Sequence, residues 1–303
     1  MSYSYNTSKV AFFDLDGTIT EKSENVGIKL EKVLYEKGIL KKEDWWLTLE
    51  VIGKYRRNEI SYERLVQNLS RIYANALKGV PVCEVQNVLP EVVKRIKFRE
   101  EAPEVIQWFK DNGFILVLMS ASPIEVVRVI ASKLHFDEAY GLKLETIDGV
   151  YAGKFFTVTS KYKRNVIKRK LKEHRFSVGV GDNLCDMEAY QDLDIRFLIN
   201  DDYLANERFV NAKTKVIKNL KEMLTFLTHS LLFEFAIATR SLQFESSFYV
   251  SIDNTFLKTL KITSSSSSPA YFSCIDFHIL AFSLSVGKTA QKPSHFSLAL
   301  ISA

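Results

Sequence analysis

The sequence contains two pairs of acidic residues, each placed after a short apolar segment: Asp14 with Asp16, and Asp182 with Asp186. Asp14 directly follows the apolar run Val10–Phe13, and Asp182 follows Val178–Val180 after one glycine. One such stretch alone is typical of an ordinary turn, but the second pair indicates a shared site. Carboxylates suit Mg²⁺, which takes one or two of them and leaves positions for water and phosphate. We therefore predict a hard-cation site at these acids.

An anion site is indicated beside it by the segment around Ser120. This serine ends the apolar run Ile115–Met119, and Ser122-Pro123 follows it. A serine cap with proline at the first helical position predicts a helix over Pro123–Leu134. The free N–H groups at the start of that helix favour a negatively charged ligand. A cation site facing an anion is the expected arrangement.

The elements that must position these residues are predicted to be parallel strands. Four apolar runs lack alternation and lead into polar residues: Val10–Phe13, Ile115–Met119, Val178–Val180 and Phe197–Ile199, the last followed by Asn200. Such runs, separated by helical patterns, are typical of the buried strands of an α/β sheet. Ligands of these sheets bind beyond the carboxyl ends of the strands, where the polar residues fall.

The segment between the first two predicted strands has helical periodicity. We predict one helix capped by Ser23 and reaching Gly38, and another capped by Asp44. A third carries apolar residues at helical spacing: Leu65, Val66, Leu69, Ile72, Tyr73 and Leu77. The insertion is expected to form a helical subdomain on the sheet.

Two further elements are predicted after the insertion. A helix over Pro103–Asp111 returns the chain to the strand that begins at Ile115. Later, Ile147–Gly149 predicts a hairpin turn between the segments Leu142–Glu145 and Gly149–Phe156.

With these elements in order, residues 9 to 229 resemble the haloacid dehalogenase superfamily of phosphatases. The resemblance rests on motifs in the expected order: Asp14–Thr18, Leu118–Ser120, a lysine near Lys163, and Gly181–Asp186. The insertion after the first motif and the later hairpin resemble the phosphoserine-phosphatase-like branch, subfamily IB.

The resemblance implies a fold and a domain organisation. It implies an α/β core of three layers, a doubly wound, Rossmann-like parallel sheet with an inserted α-helical cap. Residues 1–20 and 99–229 are expected to form the catalytic core, and residues 21–98 the cap. Residues 230–303 are expected to be an atypical tail rich in serine and phenylalanine, with poor order.

The resemblance also implies roles for the site residues. Asp14 attacks phosphorus and forms an aspartyl-phosphate, while Asp16 first gives a proton to the leaving oxygen and then takes one from water. Mg²⁺ is held by Asp14, Asp182 and the backbone carbonyl of Asp16, with Asp186 as a further acid nearby. Ser120 and a lysine bind the phosphoryl oxygens.

Two lysines compete for the last role. Lys163 has the apolar residues Val166 and Ile167 at i+3 and i+4, which suits a lysine that faces the site at the start of a helix. Lys161 lies before it and lacks this spacing. Lys163 is the preferred assignment, and a solvated surface lysine is the alternative for either, since basic runs are usually exposed.

Some positions depart from phosphoserine phosphatase proper. Where those enzymes carry a serine-binding glutamate, this chain has Ser23; their substrate-binding arginine in the cap aligns without gaps with Leu69. In the fourth motif, an asparagine that contacts substrate is replaced by Cys185, read as a packing residue that could also line the pocket. The resemblance therefore supports the reaction but does not identify the substrate.

The expected activity is that of a Mg²⁺-dependent phosphatase, hydrolysing a phosphomonoester of a small metabolite through an aspartyl-phosphate. Three alternatives stand beside it. The protein could be a phosphoserine phosphatase specifically, a phosphotransferase to an acceptor other than water, or a catalytically silent binding protein of the same fold.

Composition limits the partners. The net charge of +5 is small, and the dense basic run Lys161–Arg175 fits a solvated helix face with Val166, Ile167 and Leu171 inward, so no nucleic acid partner is expected. No apolar run approaches the ~18 residues of a membrane span. Three isolated cysteines indicate a reduced compartment, the cytoplasm.

The chain beyond Ser230 differs in amino-acid composition from the residues before it. It has few charges, many serines and phenylalanines, and a serine run at Ser264–Ser268 followed by Pro269. A docking or membrane-surface segment is one interpretation, and sequence under no folding constraint is the preferred one.

Overall fold

Seven strands form one sheet, in the order β4-β3-β2-β1-β5-β6-β7, in a computed structural model that describes residues 8–22, 24–199 and 213–228. The strands are β1 Lys9–Asp14, β2 Phe114–Pro123, β3 Glu138–Ile147, β4 Val150–Phe156, β5 Phe176–Gly181, β6 Ile195–Ile199 and β7 Thr214–Ile217. All neighbouring strands are parallel except β3 and β4. The predicted α/β class is confirmed.

Eight helices precede β7 within the described residues: α1 Val26–Glu36, α2 Lys42–Arg56, α3 Tyr62–Ala76, α4 Val82–Arg95, α5 Ala102–Asp111, α6 Ile124–Lys133, α7 Ser160–Lys170 and α8 Leu184–Ala189. The first four lie between β1 and β2, where the sequence predicts a helical insertion. The chain enters and leaves this insertion at one point, because Thr20 pairs with Phe98 in an antiparallel bridge.

Both faces of the sheet are covered, as the central strand β1 demonstrates. Its side chains alternate between the two faces. Phe12 belongs to a core cluster with Val166 and Ile167 of α7, whereas Phe13 packs edge-to-face against Phe109 of α5, with ring centroids 5.2 Å apart. Because both faces of β1 are buried, the run must be apolar throughout, and the fold has three layers.

The β3–β4 hairpin contacts the inserted helices through backbone hydrogen bonds. The predicted hairpin turn is present as a two-residue turn, in which Asp148 and Gly149 both adopt positive φ, 50° and 77°, as this type of turn requires. The backbone of the α3–α4 connection then pairs with β4, through Gly79 N to Tyr151 O at 2.9 Å and Tyr151 N to Val80 O at 3.0 Å. The insertion is thus bonded to the sheet at the hairpin.

Three predicted helix starts are wrong. Helix α1 is capped by the side chain of Asn25, which accepts from Ile28 N; Ser23 lies outside the described residues. The N-cap of α2 is Lys41, and Asp44 lies within the first turn. Helix α6 begins at Ile124, because β2 stays extended through Pro123 and no side chain caps the helix.

Some elements were not predicted from the sequence. Helix α4 contains Pro90, but its buried residues keep helical spacing, as Val85, Val88, Leu89, Val92 and Val93 demonstrate. Strand β7 and the short helix α8 were also missed, and β3 begins at Glu138, ahead of the predicted hairpin segment.

The chain divides into two compact units, Met1–Leu224 and Thr225–Ala303. Of the second unit only residues 225–228 are described, and they are helical. The predictions for Asn200 and for the tail from residue 230 fall outside the described residues. None of the helices described is both long and apolar enough to cross a membrane.

Candidate active site

The sheet order brings the predicted site residues to one edge. Strand β1 lies between β2 and β5, and Asp14 at its end pairs in register with Met119, next to Ser120. On the other side, Phe13 pairs with Val180, just before Gly181 and Asp182. The carboxyl ends of all three strands therefore open on the same space, as expected for a ligand site of such a sheet.

Asp14, Asp182 and Asp186 form a compact acidic cluster. One carboxylate oxygen of each lies within 4.8 Å of those of the other two. Burial raises the pKa of Asp14 well above its ordinary value, and repulsion from Asp186 adds to this, while Lys163 opposes it. Burial and Asp186 likewise raise the pKa of Asp182 to about 7. Without a counter-ion, these carboxylates destabilise one another.

Lys163 supplies part of the missing positive charge. Its Nζ lies 2.5 Å from Asp14 Oδ1 and 2.7 Å from Asp186 Oδ1, and the side chain is buried. Burial lowers the pKa of Lys163, but Asp14 and Asp186 outweigh it and hold the pKa well above its usual range. Helix α7 turns Lys161 to the exposed side. Of the two competing lysines, the fold brings Lys163 to the acids.

The acidic cluster fits a hard divalent cation. Asp186 Oδ2 is buried and has no hydrogen-bond partner among the described residues, so this oxygen has room in its bonding for a cation or a hydrogen-bond donor. Two glycines make room for the carboxylates. A Cβ on Gly17 would lie 2.3 Å from Asp182 Oδ2, and one on Gly181 would lie 2.6 Å from Asp186 Oδ2. The oxygen-only set of donors is the type that Mg²⁺ takes.

The carboxylate of Asp16 lies apart from this cluster, although it is only two residues from Asp14. Its Oδ1 accepts from Val26 N at 2.6 Å, and its Oδ2 accepts from the hydroxyls of Ser120 and Ser122 at 2.8 and 2.9 Å. Burial raises the pKa of Asp16, while these three hydrogen bonds oppose the rise. The two acids of the first motif thus have separate environments, as two different roles require.

Ser122 has a different place from the predicted one. It does not cap α6; its hydroxyl donates to Asp16 and accepts from Gly27 N at 3.0 Å. Asp16 and Ser122 thereby satisfy the free N–H groups of Val26 and Gly27 at the start of α1. The spacing of Ser120 and Ser122 could have indicated this, since residues two apart on a strand point to the same side.

The inserted helices add residues that the sequence did not identify. Tyr62 and Glu63, in the first turn of α3, line a cleft that reaches Lys163, Cys185 and Asp186. Cys185 therefore lines the pocket, the less favoured of its two interpretations. Arg99, at the exit of the insertion, donates to Gly17 O at 2.9 Å and so holds the turn of the first motif.

The chain matches a family model described as haloacid dehalogenase-like hydrolase over residues 11–191. Phosphoserine phosphatase SerB1 of Mycobacterium tuberculosis is 25% identical over 151 residues, 48% of this chain and 47% of the relative. This chain thus spans about half the length of the curated relatives it matches.

Two solved structures are similar in fold. A phospho-aspartyl intermediate analogue of phosphoserine phosphatase is 19% identical, with a TM-score of 0.53, covering 73% of this chain and 99% of that one. A protein with unknown function from Bordetella pertussis is 18% identical, with a TM-score of 0.59, covering 70% and 99%. Because the family model extends over more than half of the chain, the protein belongs to the haloacid dehalogenase-like hydrolases.

Proposed function

We propose that the protein is a Mg²⁺-dependent phosphatase that hydrolyses phosphomonoesters of small metabolites through a covalent intermediate on Asp14. One observation carries the proposal. Asp14 faces a buried lysine and two further carboxylates, whereas Asp16, two residues away, is held separately by two serines and a backbone N–H. A nucleophile beside positive charge and an acid in its own environment are the two groups that this reaction needs.

Asp14 is the nucleophile in this proposal. A carboxylate oxygen of Asp14 forms a bond to phosphorus, and the bond between phosphorus and the leaving oxygen breaks. Asp16 gives its proton to the leaving oxygen, so the alcohol departs neutral. Asp16 then takes a proton from a water that attacks phosphorus, which releases phosphate and restores Asp14. The similar fold of a phosphoserine phosphatase captured as a phospho-aspartyl analogue supports this route.

The remaining site residues hold the phosphoryl group. Lys163 and the Ser120 hydroxyl bind its oxygens and offset the charge that spreads over them in the transition state. Asp14, Asp182 and the backbone carbonyl of Asp16 are the ligands proposed for Mg²⁺, with Asp186 beside them. When bound, Mg²⁺ supplies positive charge that neutralises the acids and the phosphoryl oxygens.

Phosphate release from a panel of sugar, amino-acid, lipid-headgroup and nucleotide phosphates tests the activity. We expect release from some members with Mg²⁺ and none with a chelator. Asp14→Asn should reduce turnover by about three orders of magnitude or more, since it removes the nucleophile. A folded protein that releases no phosphate from any member would contradict the proposal.

Metal binding is testable without turnover. Mg²⁺ should raise the melting temperature, because a ligand of the folded state alone stabilises it. Asp182→Asn should weaken this effect, whereas Asp192→Asn, which changes an exposed acid paired with Arg164, should keep it.

The cytoplasmic location indicated by the cysteine content stays a prediction.

A further inference from the structure

Helix α2 of the insertion leaves several large apolar side chains exposed. Thr48 is the one buried residue of this helix. Trp46 is 59% exposed, Leu47 47% and Leu49 37%, and the groove beside them is lined by Glu43, Trp46, Leu47, Leu49 and Glu50. Single exposed apolar side chains are ordinary, but a contiguous group of them is typical of a surface that contacts another molecule.

The exposed group lies on the side of α2 that points away from α1. The Thr48 hydroxyl donates to Glu31 of α1 at 2.6 Å, which defines the inner side of the helix. Trp46 is two positions from Thr48 and therefore projects to the opposite side. Leu49 and Gly53 share the side of Trp46, because residues three, four or seven positions apart lie on one face of a helix. We call this side the outward face of α2.

The outward face has open space at Gly53. A Cβ added there would meet Nη1 of Arg57 at 3.1 Å, which is the far end of a flexible side chain. Glycine within a helix is less favourable than alanine, but it allows a neighbouring molecule to approach the backbone closely. A large side chain of a second molecule, such as an indole, fits this position.

The charges of α2 are divided between its two ends. The first turn carries Glu43 and Asp44, and the last turn carries Lys54 and Arg56. Lys54 is paired within the helix, with Glu50 at 2.7 Å, whereas Glu43 and Arg56 form no ion pair with any described residue. The acidic end of one α2 therefore complements the basic end of another that runs in the opposite direction, as the opposed helix dipoles also do.

We propose that α2 is a dimerisation helix, whose outward face packs antiparallel against the same face of a second copy of this chain. One alignment suits both the charged and the apolar residues. Glu43 then faces Arg56 of the partner subunit, and Trp46 faces Gly53 of the partner subunit, because the two pairs share one midpoint in the helix. A two-fold axis repeats each contact, as in any symmetric dimer. The inference does not depend on the proposed phosphatase activity.

The charges of the outward face favour a second copy over an anionic membrane surface. Glu43 and Glu50 lie on either side of Trp46, at i−3 and i+4. Anionic lipid headgroups repel two carboxylates beside the aromatic side chain. The basic last turn of an antiparallel α2 attracts the nearer of them, Glu43.

Sedimentation velocity of the whole chain at increasing concentration tests the proposal. A contact made by one helix from each copy is smaller than a standard interface of ~1,600 Å², so we expect a reversible dimer with a dissociation constant of roughly 1–100 μM. Trp46→Glu should raise this constant about thirtyfold or more, since a central tryptophan contributes most at such contacts. Ile147→Glu is the matched control, because Ile147 is 60% exposed and belongs to the β3–β4 hairpin. Its dissociation constant should equal that of the unchanged chain.

An exchange of charges tests the antiparallel orientation. Glu43→Arg and Arg56→Glu should each raise the dissociation constant about tenfold, because like charges then face each other across the axis. The double variant restores opposite charges at the same two positions and should regain most of the lost affinity. A contact of another orientation would show no such recovery. Far-UV circular dichroism verifies that each variant is folded.

A dimer that is lost in Trp46→Glu and regained in the double charge variant supports the proposal. A chain that stays monomeric over the whole concentration range would overturn it, as would a dimer that Trp46→Glu leaves unchanged. A double variant that dimerises no better than either folded single variant would refute the antiparallel contact. A monomeric chain that binds vesicles of phosphatidylserine and phosphatidylcholine through Trp46 would assign the outward face to a membrane instead.

Discussion

The ammonium group of Lys163 lies 2.5 Å from Oδ1 of Asp14, although the two residues are 149 positions apart in the chain. The contact joins the end of the central strand to the first turns of α7, and both side chains are buried. A second bond to Asp186 makes the lysine the link between the first and last acidic motifs. Two of the four predicted acids, Asp14 and Asp186, bind this cation directly, whereas Asp16 is bound mainly by neutral groups.

Lys163→Met removes this cation but keeps the length of the side chain. Without Mg²⁺ we expect a loss of about 3–5 kcal/mol in the free energy of unfolding, because buried carboxylates lose their partner. Turnover should fall by about two to three orders of magnitude, since the phosphoryl group loses a charge that stabilises its transition state. Chemical denaturation and phosphate release measure the two effects. Lys161→Met, at an exposed position, should change neither; equal effects of both variants would contradict the assignment of Lys163.

Ser122→Ala tests whether this serine positions Asp16. The change removes one donor to Asp16 Oδ2 and leaves Gly27 N–H without its partner. We expect a loss of about 1–2 kcal/mol in unfolding free energy, the cost of an unmatched buried polar group. If Ser122 acts through Asp16, kcat should fall about tenfold with little change in KM, because Asp16 assists the chemical step. Ser132→Ala, on the exposed face of α6, is the control. A kcat that stays unchanged would restrict Ser122 to a structural role.

Gly17→Ala tests the space reserved for Asp182. Gly17 has a φ of 79°, and a Cβ there would lie 2.3 Å from Asp182 Oδ2. Gly113 has a similar φ of 74° and nothing within 4 Å of an added Cβ. Gly113→Ala therefore carries the backbone strain of about 1–2 kcal/mol alone. We expect both variants to have a lower melting temperature than the unchanged protein. Only Gly17→Ala should lose the increase in melting temperature that Mg²⁺ produces. Thermal unfolding with and without the ion measures both effects. If Mg²⁺ raised the melting temperatures of both variants equally, the side chain of Asp182 would be able to move away from the added Cβ and still bind the ion.

Glu31→Gln tests a buried acid outside the candidate site. Glu31 of α1 accepts a hydrogen bond from Thr48 of α2 at 2.6 Å, and burial raises its pKa from 4.5 to about 7. Between these two values the folded chain keeps a proton that the unfolded chain has released. Stability from this group is therefore greatest below pH 4.5, falls as the pH rises to about 7, and is constant above that.

The size of this effect is up to about 3 kcal/mol, from the width of the pKa interval. Glu31→Gln, measured by denaturation across the same interval, should flatten this part of the pH dependence and be the more stable protein above pH 7. Glu43→Gln, an exposed acid of α2, should leave the pH dependence as it was. If the pH dependence of the unfolding free energy persisted in Glu31→Gln, it would belong to another titratable group.

The sequence by itself determined the α/β class, and it indicated the four acids, Ser120 and Lys163 as candidate site residues. Buried parallel strands need apolar runs on both faces, and Val10–Phe13 and Val178–Val180 carry this signal without help from distant residues. The acids follow these strands directly, so their meeting at one sheet edge follows from the fold class alone. Lys163 could also be predicted from the sequence, because Val166 and Ile167 indicate which side of α7 is buried.

Only the tertiary structure decided how these residues are paired. That Ser122 binds Asp16 and Gly27 instead of capping α6 depends on contacts across about a hundred positions, and local propensity describes only neighbours in the chain. The same holds for Tyr62 and Glu63, whose place over the acids depends on how the inserted helices pack on the sheet. The order of strands, with β1 between β2 and β5, turned separate motifs into one site. Packing sets that order, because a strand's own pattern records that it is buried and leaves open which strands lie beside it.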